Sequence, residues 1–141
     1  MDRRKFLIDS CTVCIGTAIS GMLLSGCSAP GNLYKTSVEN GQMQIPLTEF
    51  AENKYCIIRS MSLSHDVFAY KKSETVYMAV LMKCTHRDAP IHYTSGGLVC
   101  NEHGSKFSYE GAVIKEPATE KLKSFPVTTN STHLIINLKQ L

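Results

Sequence analysis

The chain has 141 residues, room for one domain and not two. Charged residues make up 19% and hydrophobic ones 43%, the balance of an ordinary globular protein rather than a disordered or fibrous one. A formal net charge of +3, with no Lys/Arg cluster interleaved by aromatics, excludes nucleic acid as a partner.

The first elements read as processing signals rather than fold. Arg3-Arg4-Lys5-Phe6-Leu7 sets paired arginines before a hydrophobic pair, and a mostly apolar stretch runs from Cys11 to Leu24. A charged start, a short apolar middle and small residues at the end are the layout of an export signal. The R-R-x-F-L pattern resembles the twin-arginine signal, by which bacteria export proteins already folded. Leu24-Ser25-Gly26-Cys27 resembles the lipobox of bacterial lipoproteins, which implies lipidation of Cys27. A retained membrane helix is the competing reading, but the apolar stretch is shorter than the roughly 20 residues a span needs and is diluted by Ser, Thr and Gly. The organisation expected is a signal segment over residues 1–26, a polar tether over 27–37 and one domain over 38–141.

Within that domain the sequence predicts short strands. Gln42 to Leu47, Lys54 to Arg59, Val67 to Lys71 and Thr75 to Met82 come first. Lys106 to Tyr109, Ala112 to Ile114, Leu122 to Thr128 and His133 to Leu138 follow, separated by turn residues. No segment beyond the signal shows sustained 3.6-residue periodicity, so the expected fold is an all-β sandwich or small barrel. The longest weakly patterned stretch, Lys83 to Ser105, reads as irregular, and a stretch of that length in a small domain is usually functional.

That stretch holds Cys84-Thr85-His86 and Cys100-Asn101-Glu102-His103-Gly104-Ser105. Each half supplies one thiolate and one imidazole, the donor set of a Rieske-type 2Fe–2S centre: two thiolates on one iron, two imidazoles on the other. Such a pair of loops would clamp the cluster with the imidazoles outermost. A Cys2His2 zinc site uses the same ligand types, but zinc knuckles usually pair like ligands, as C-x-x-C or H-x-x-x-H. Four further cysteines lie outside this motif, and the C-x-x-C of Cys11 and Cys14 is read as incidental and lost with the signal. Cys11 and Cys14 lie inside the signal, Cys27 is the lipobox residue, and Cys56 sits in the apolar run Tyr55-Cys56-Ile57-Ile58, as a small buried hydrophobe would. His65, His92 and His133 have no partner at ligand spacing and are read as turn, loop and strand residues.

On these motifs the chain resembles the Rieske family from about Val76 to the C-terminus. The likeness includes the Gly96-Gly97-Leu98-Val99 approach to the second cysteine. Lys115-Glu116-Pro117-Ala118-Thr119 resembles the family's proline loop, and Leu122 to Val127 the strand returning from it. The resemblance implies an antiparallel β-sandwich with a small cluster-binding subdomain at about residues 83–119. Its implied cofactor is one 2Fe–2S cluster, with Cys84, His86, Cys100 and His103 as ligands and Ser105 donating to a bridging sulfide. Two departures stand out. The positions of the loop disulfide of respiratory members are Ala89 and Glu102 here, so packing and the cluster itself must hold the loops. Phe107 stands where those members have a tyrosine donating to a ligand sulfur, with Tyr109 the nearest hydroxyl in sequence. Hydrogen bonds to cluster sulfur favour the reduced state, so an intermediate midpoint potential is expected.

A 2Fe–2S centre implies one-electron transfer. An assembled cofactor and an export route for folded proteins also support one another. The leading expectation is the small iron–sulfur subunit of a membrane-associated bacterial redox complex, exported, lipid-anchored on the periplasmic side, and linked to quinol or to a catalytic oxidoreductase subunit. The alternatives are a ferredoxin serving an oxygenase, and a zinc-stabilised non-redox lipoprotein that binds a partner.

Overall fold

Runs of β-branched and aromatic residues punctuated by turn residues form the strands of the computed structural model, which describes residues 32–139. The expected signal segment and the lipidation site at Cys27 lie outside the described residues. Among those described, no helix is long and apolar enough to cross a membrane.

The base of the molecule is two sheets face to face. One consists of β1 (Leu33–Lys35), β3 (Tyr55–Arg59), β4 (Val67–Lys71), β5 (Tyr77–Leu81) and β10 (Ser124–Phe125), in the order β1-β3-β4-β5-β10. The other has the order β11 (Val127–Thr129), β12 (His133–Asn137), β2 (Gln42–Pro46). A third, small sheet of β6 (Ile91–Thr94), β7 (Gly97–Cys100), β8 (Lys106–Phe107) and β9 (Val113–Lys115) carries the candidate cluster loops. All pairings are antiparallel except that of β1 with β3. The expected all-β antiparallel sandwich with a small subdomain is therefore the fold.

Why β4 and β5 read as almost unbroken apolar runs is clear from their two faces. Val67 and Ala69 of β4, with Ala79 and Leu81 of β5, point into the core between the base sheets, beside Met43, Ile45, Ile58, Leu134 and Ile136. The alternate residues Phe68 and Val80 point the other way, into a second core with Leu98, Phe107 and Leu122. This one sheet is buried on both sides, so polar alternation disappears. Cys56 lies wholly buried in the first core, and burial together with the nearby Glu49 pushes its thiol up to about 12. It is an inert core residue, as expected.

Aromatic rings join the base to the small sheet. Phe68 is fully buried and lies within 5.6–6.5 Å, centroid to centroid, of Tyr55, Tyr70, Tyr93 and Tyr109. Tyr55 of β3 and Tyr93 of β6 stack at 3.9 Å. A Lys72–Glu110 ion pair of 2.7 Å crosses the same seam.

Three expectations change. Leu33–Lys35, inside the stretch read as tether, is a strand paired in parallel with β3, and Asn32 donates to the carbonyls of Glu49 and Tyr55. The stretch Lys83 to Ser105 is not irregular throughout, because β6 and β7 form a hairpin across Ser95-Gly96. Gly97 closes it at φ +133°, where a Cβ would lie 2.6 Å from the Phe107 carbonyl, so only glycine lets β7 approach β8. The single strand expected from Leu122 to Thr128 is two. Pro126 has no N–H to continue a ladder, and there the chain leaves β5 and crosses to β12.

Candidate metal centre

β5 leads through Met82 and Lys83 to Cys84, β7 ends on Cys100, and the two following loops close by the same backbone bonds. The Cys84 N–H donates to the Ala89 carbonyl at 2.8 Å, and the Asp88 N–H donates back to the Cys84 carbonyl at 2.8 Å. In the second loop Cys100 and Ser105 repeat the first bond at 2.9 Å, and Gly104 and Cys100 repeat the second at 3.0 Å. Each loop turns through a left-handed residue four positions after its cysteine: Asp88 at φ +59° and Gly104 at φ +80°. The motif thus builds two matching knuckles, although the histidine follows at a different spacing in each.

The knuckles pair the candidate ligands by type, thiol near thiol and imidazole against imidazole. Cys84 and Cys100 are each 1% exposed and lie near one another. Burial pushes the Cys100 thiol up, the Glu102 backbone N–H counters this, and the Cys84 thiol raises it further. On the same two loops, the His86 and His103 rings meet edge to face with centroids 5.0 Å apart. His86 is half-buried and His103 exposed. Among the described residues, no three His, Cys, Asp or Glu side chains converge as a single-ion site. A buried thiol pair and a more exposed imidazole pair on the same two loops match one sulfur-ligated and one nitrogen-ligated iron more directly than one tetrahedral zinc.

A third loop, with its cis Glu116–Pro117 peptide, ties the knuckles together. The Ala118 N–H donates to Ser105 Oγ at 3.0 Å, and Thr85 Oγ1 donates to the Glu120 carbonyl at 2.7 Å. Ser105 is wholly buried; since its oxygen accepts from Ala118, its own hydrogen is left to donate. These two bonds tie each knuckle to the third loop, so side-chain bonds supplement the packing expected to hold the loops. Phe107 is buried in the second core, and the Tyr109 hydroxyl donates to the Thr94 carbonyl at 2.8 Å, away from any compensating role. His92 is exposed on β6 and His133 Nδ1 meets Thr132 Oγ1 at 2.8 Å, so both stand apart from the ligand group. Sequence reasoning missed Thr85 and His65 as supports, because their partners lie thirty-five and twenty-three residues away.

A model of the Rieske [2Fe-2S] domain matches residues 41–126, more than half of the chain, and the chain belongs to that family. Its cofactor is accordingly a 2Fe–2S cluster, and family members exchange electrons with redox partner proteins. Among curated proteins, it is similar to the iron–sulfur subunit of the toluene-4-sulfonate monooxygenase system of Comamonas testosteroni. Identity is 34% over 74 residues, covering 46% of this chain and 21% of that protein. The chain therefore spans about a fifth of that relative's length. Among solved structures, the plasma membrane Rieske protein of the cyanobacterium Synechocystis PCC 6803 has the same fold. The match has a TM-score of 0.56 and 19% identity, over 65% of this chain and 94% of that one.

Proposed function

We propose that Cys84, His86, Cys100 and His103 hold the cluster, and that the chain is the small electron-transferring subunit of a membrane-associated, exported redox complex. The observation that carries the ligand assignment is the buried thiol pair and the more exposed imidazole pair on two matching knuckles. When bound, the cluster supplies a one-electron couple. The chain's own residues do the rest: the third loop covers one side, the second core excludes water from the thiols, and the imidazoles present the exposed tip to a partner. In the quinol-linked form, an imidazole of His86 or His103 takes the donor's proton as the electron moves. The twin-arginine pattern at Arg3-Arg4 and the lipobox at Cys27 support a periplasmic, lipid-anchored location.

A second reading, a ferredoxin serving an oxygenase, is favoured by the likeness to a monooxygenase-system subunit. A redox titration across pH with electron paramagnetic resonance, run on membrane and soluble fractions, separates the two. A membrane-bound chain with a midpoint that falls at alkaline pH and lies within reach of quinols supports the respiratory reading. A soluble cytoplasmic chain with a low, pH-independent midpoint near neutrality overturns it in favour of the ferredoxin. A colourless chain with one zinc overturns the ligand chemistry itself.

Ser105 offers a finer test of the same site. Its Oγ–H is expected to donate to the cluster, a bond that strengthens as negative charge arrives on reduction. Losing a hydrogen bond of about 1–1.5 kcal/mol corresponds to roughly 40–65 mV for one electron. Ser105→Ala should lower the midpoint by that much in a spectroelectrochemical titration; an unchanged midpoint would mean that the hydroxyl points elsewhere.

A further inference from the structure

His65 was left without a role by its sequence, yet it is held at both ring nitrogens. Its Nε2 lies 2.8 Å from the carbonyl oxygen of Asp88, and its Nδ1 lies 3.0 Å from Ser64 Oγ. A carbonyl only accepts, so Nε2 carries the hydrogen; Nδ1 of the neutral ring then accepts from the Ser64 hydroxyl. The residue it grips is the one that closes the first knuckle. Asp88 donates its N–H to the Cys84 carbonyl and adopts φ +59°, the left-handed conformation that the second knuckle gives to Gly104. A non-glycine residue persists there only when its surroundings hold it. Asp88's own side chain reaches Lys83 Nζ at 3.1 Å, but that carboxylate is 76% exposed, so the ion pair contributes little. The bond from the β3–β4 connection instead ties Asp88's backbone to the base sheet.

We propose that His65 is a positioning residue for the cluster. It braces the first knuckle against the base sheet by holding Asp88 in the left-handed conformation, and so sets where Cys84 and His86 stand. The inference rests on Cys84 and His86 being ligands. It explains how the first knuckle keeps its shape with an aspartate where the second needs a glycine, and without the cross-link of respiratory members.

The test is the rate of cluster loss from the full chain under a chelator, followed by visible absorbance, with the reduced paramagnetic spectrum recorded alongside. His65→Ala should lose cluster about fivefold faster, the effect of one hydrogen bond, and broaden the reduced signal. His65→Gln, whose Nε2 places an N–H near the same point, should restore the wild-type rate and spectrum. Asp88→Gly takes up the left-handed conformation unaided, so adding His65→Ala to it should change nothing. A His65→Ala rate equal to wild type overturns the proposal. So does a glutamine variant as fast as the alanine one, or the full fivefold effect persisting on the Asp88→Gly background. Those outcomes leave the ligand assignment standing. A Cys84→Ala chain that keeps the wild-type signal instead removes the ligand assignment, and this inference with it.

Discussion

Replacing Cys84 with alanine is expected to leave a chain with no cluster: colourless, without iron, and silent in paramagnetic resonance after reduction. Cys84 is 1% exposed and lies near Cys100, in the buried position proposed for a ligand thiolate. Ligand binding of this kind is coupled to the folding of the segments that supply the ligands. Amide protection should therefore fall across the two knuckles, residues 84–105. It should survive in β3, β4 and β5, because the core between the base sheets contains neither Cys84 nor Cys100. Cys56→Ala is the matched comparison. It removes an equally buried sulfur from that other core and should keep the cluster in full. Metal analysis, absorbance and hydrogen exchange on the two variants check this. A coloured Cys84→Ala chain would defeat the assignment, as would a colourless Cys56→Ala chain with an intact fold.

The second large effect is expected from Phe68→Ala, at about 3–5 kcal/mol of unfolding free energy. Phe68 is fully buried at the centre of the rings that join β3 and β4 to β6 and to the turn bearing Tyr109. Its truncation removes a large apolar side chain and leaves four tyrosine rings around a void. Aromatic pairs add about 0.5–1.5 kcal/mol each beyond area burial. Against a total stability of about 5–15 kcal/mol for a domain, that is a large share. Because the void opens between the base and the cluster-bearing sheet, faster cluster loss should accompany it. Phe68→Leu, which refills most of the volume, should cost much less. Denaturant unfolding gives the free energies; a cost below about 1 kcal/mol would show that the seam relaxes and that the rings do not carry the joint.

Much of the candidate site was legible because its chemistry is local. Thiolate and imidazole donors at C-x-H and C-x-x-H spacing can be read from a few consecutive residues, and the knuckles that present them are built from backbone bonds spanning four or five positions. The inert character of Cys56 was legible for a similar reason, since its apolar neighbours in sequence are also its neighbours on β3. The hairpin of β6 and β7 was not, because His92, Thr94 and Ser95 dilute the alternation and its pairing is completed by the contact of Gly97 with β8. Pro126 marked a break in the strand, yet only the presence of two sheets shows that the break is a crossing from one to the other.

By itself, then, the sequence determined the fold class and pointed to a candidate donor set and the loops that carry it, since strand propensity and ligand spacing are properties of short segments. The tertiary structure alone decided how those loops are held. Thr85 finds Glu120, Ser105 finds Ala118 and His65 finds Asp88 across thirteen to thirty-five residues. It also decided that β4 and β5 are buried on both faces, which turns an ordinary sandwich strand into the shared wall of two cores. Hydrogen bonds and burial between distant segments depend on where the chain returns to itself, and no local pattern of residue types encodes that.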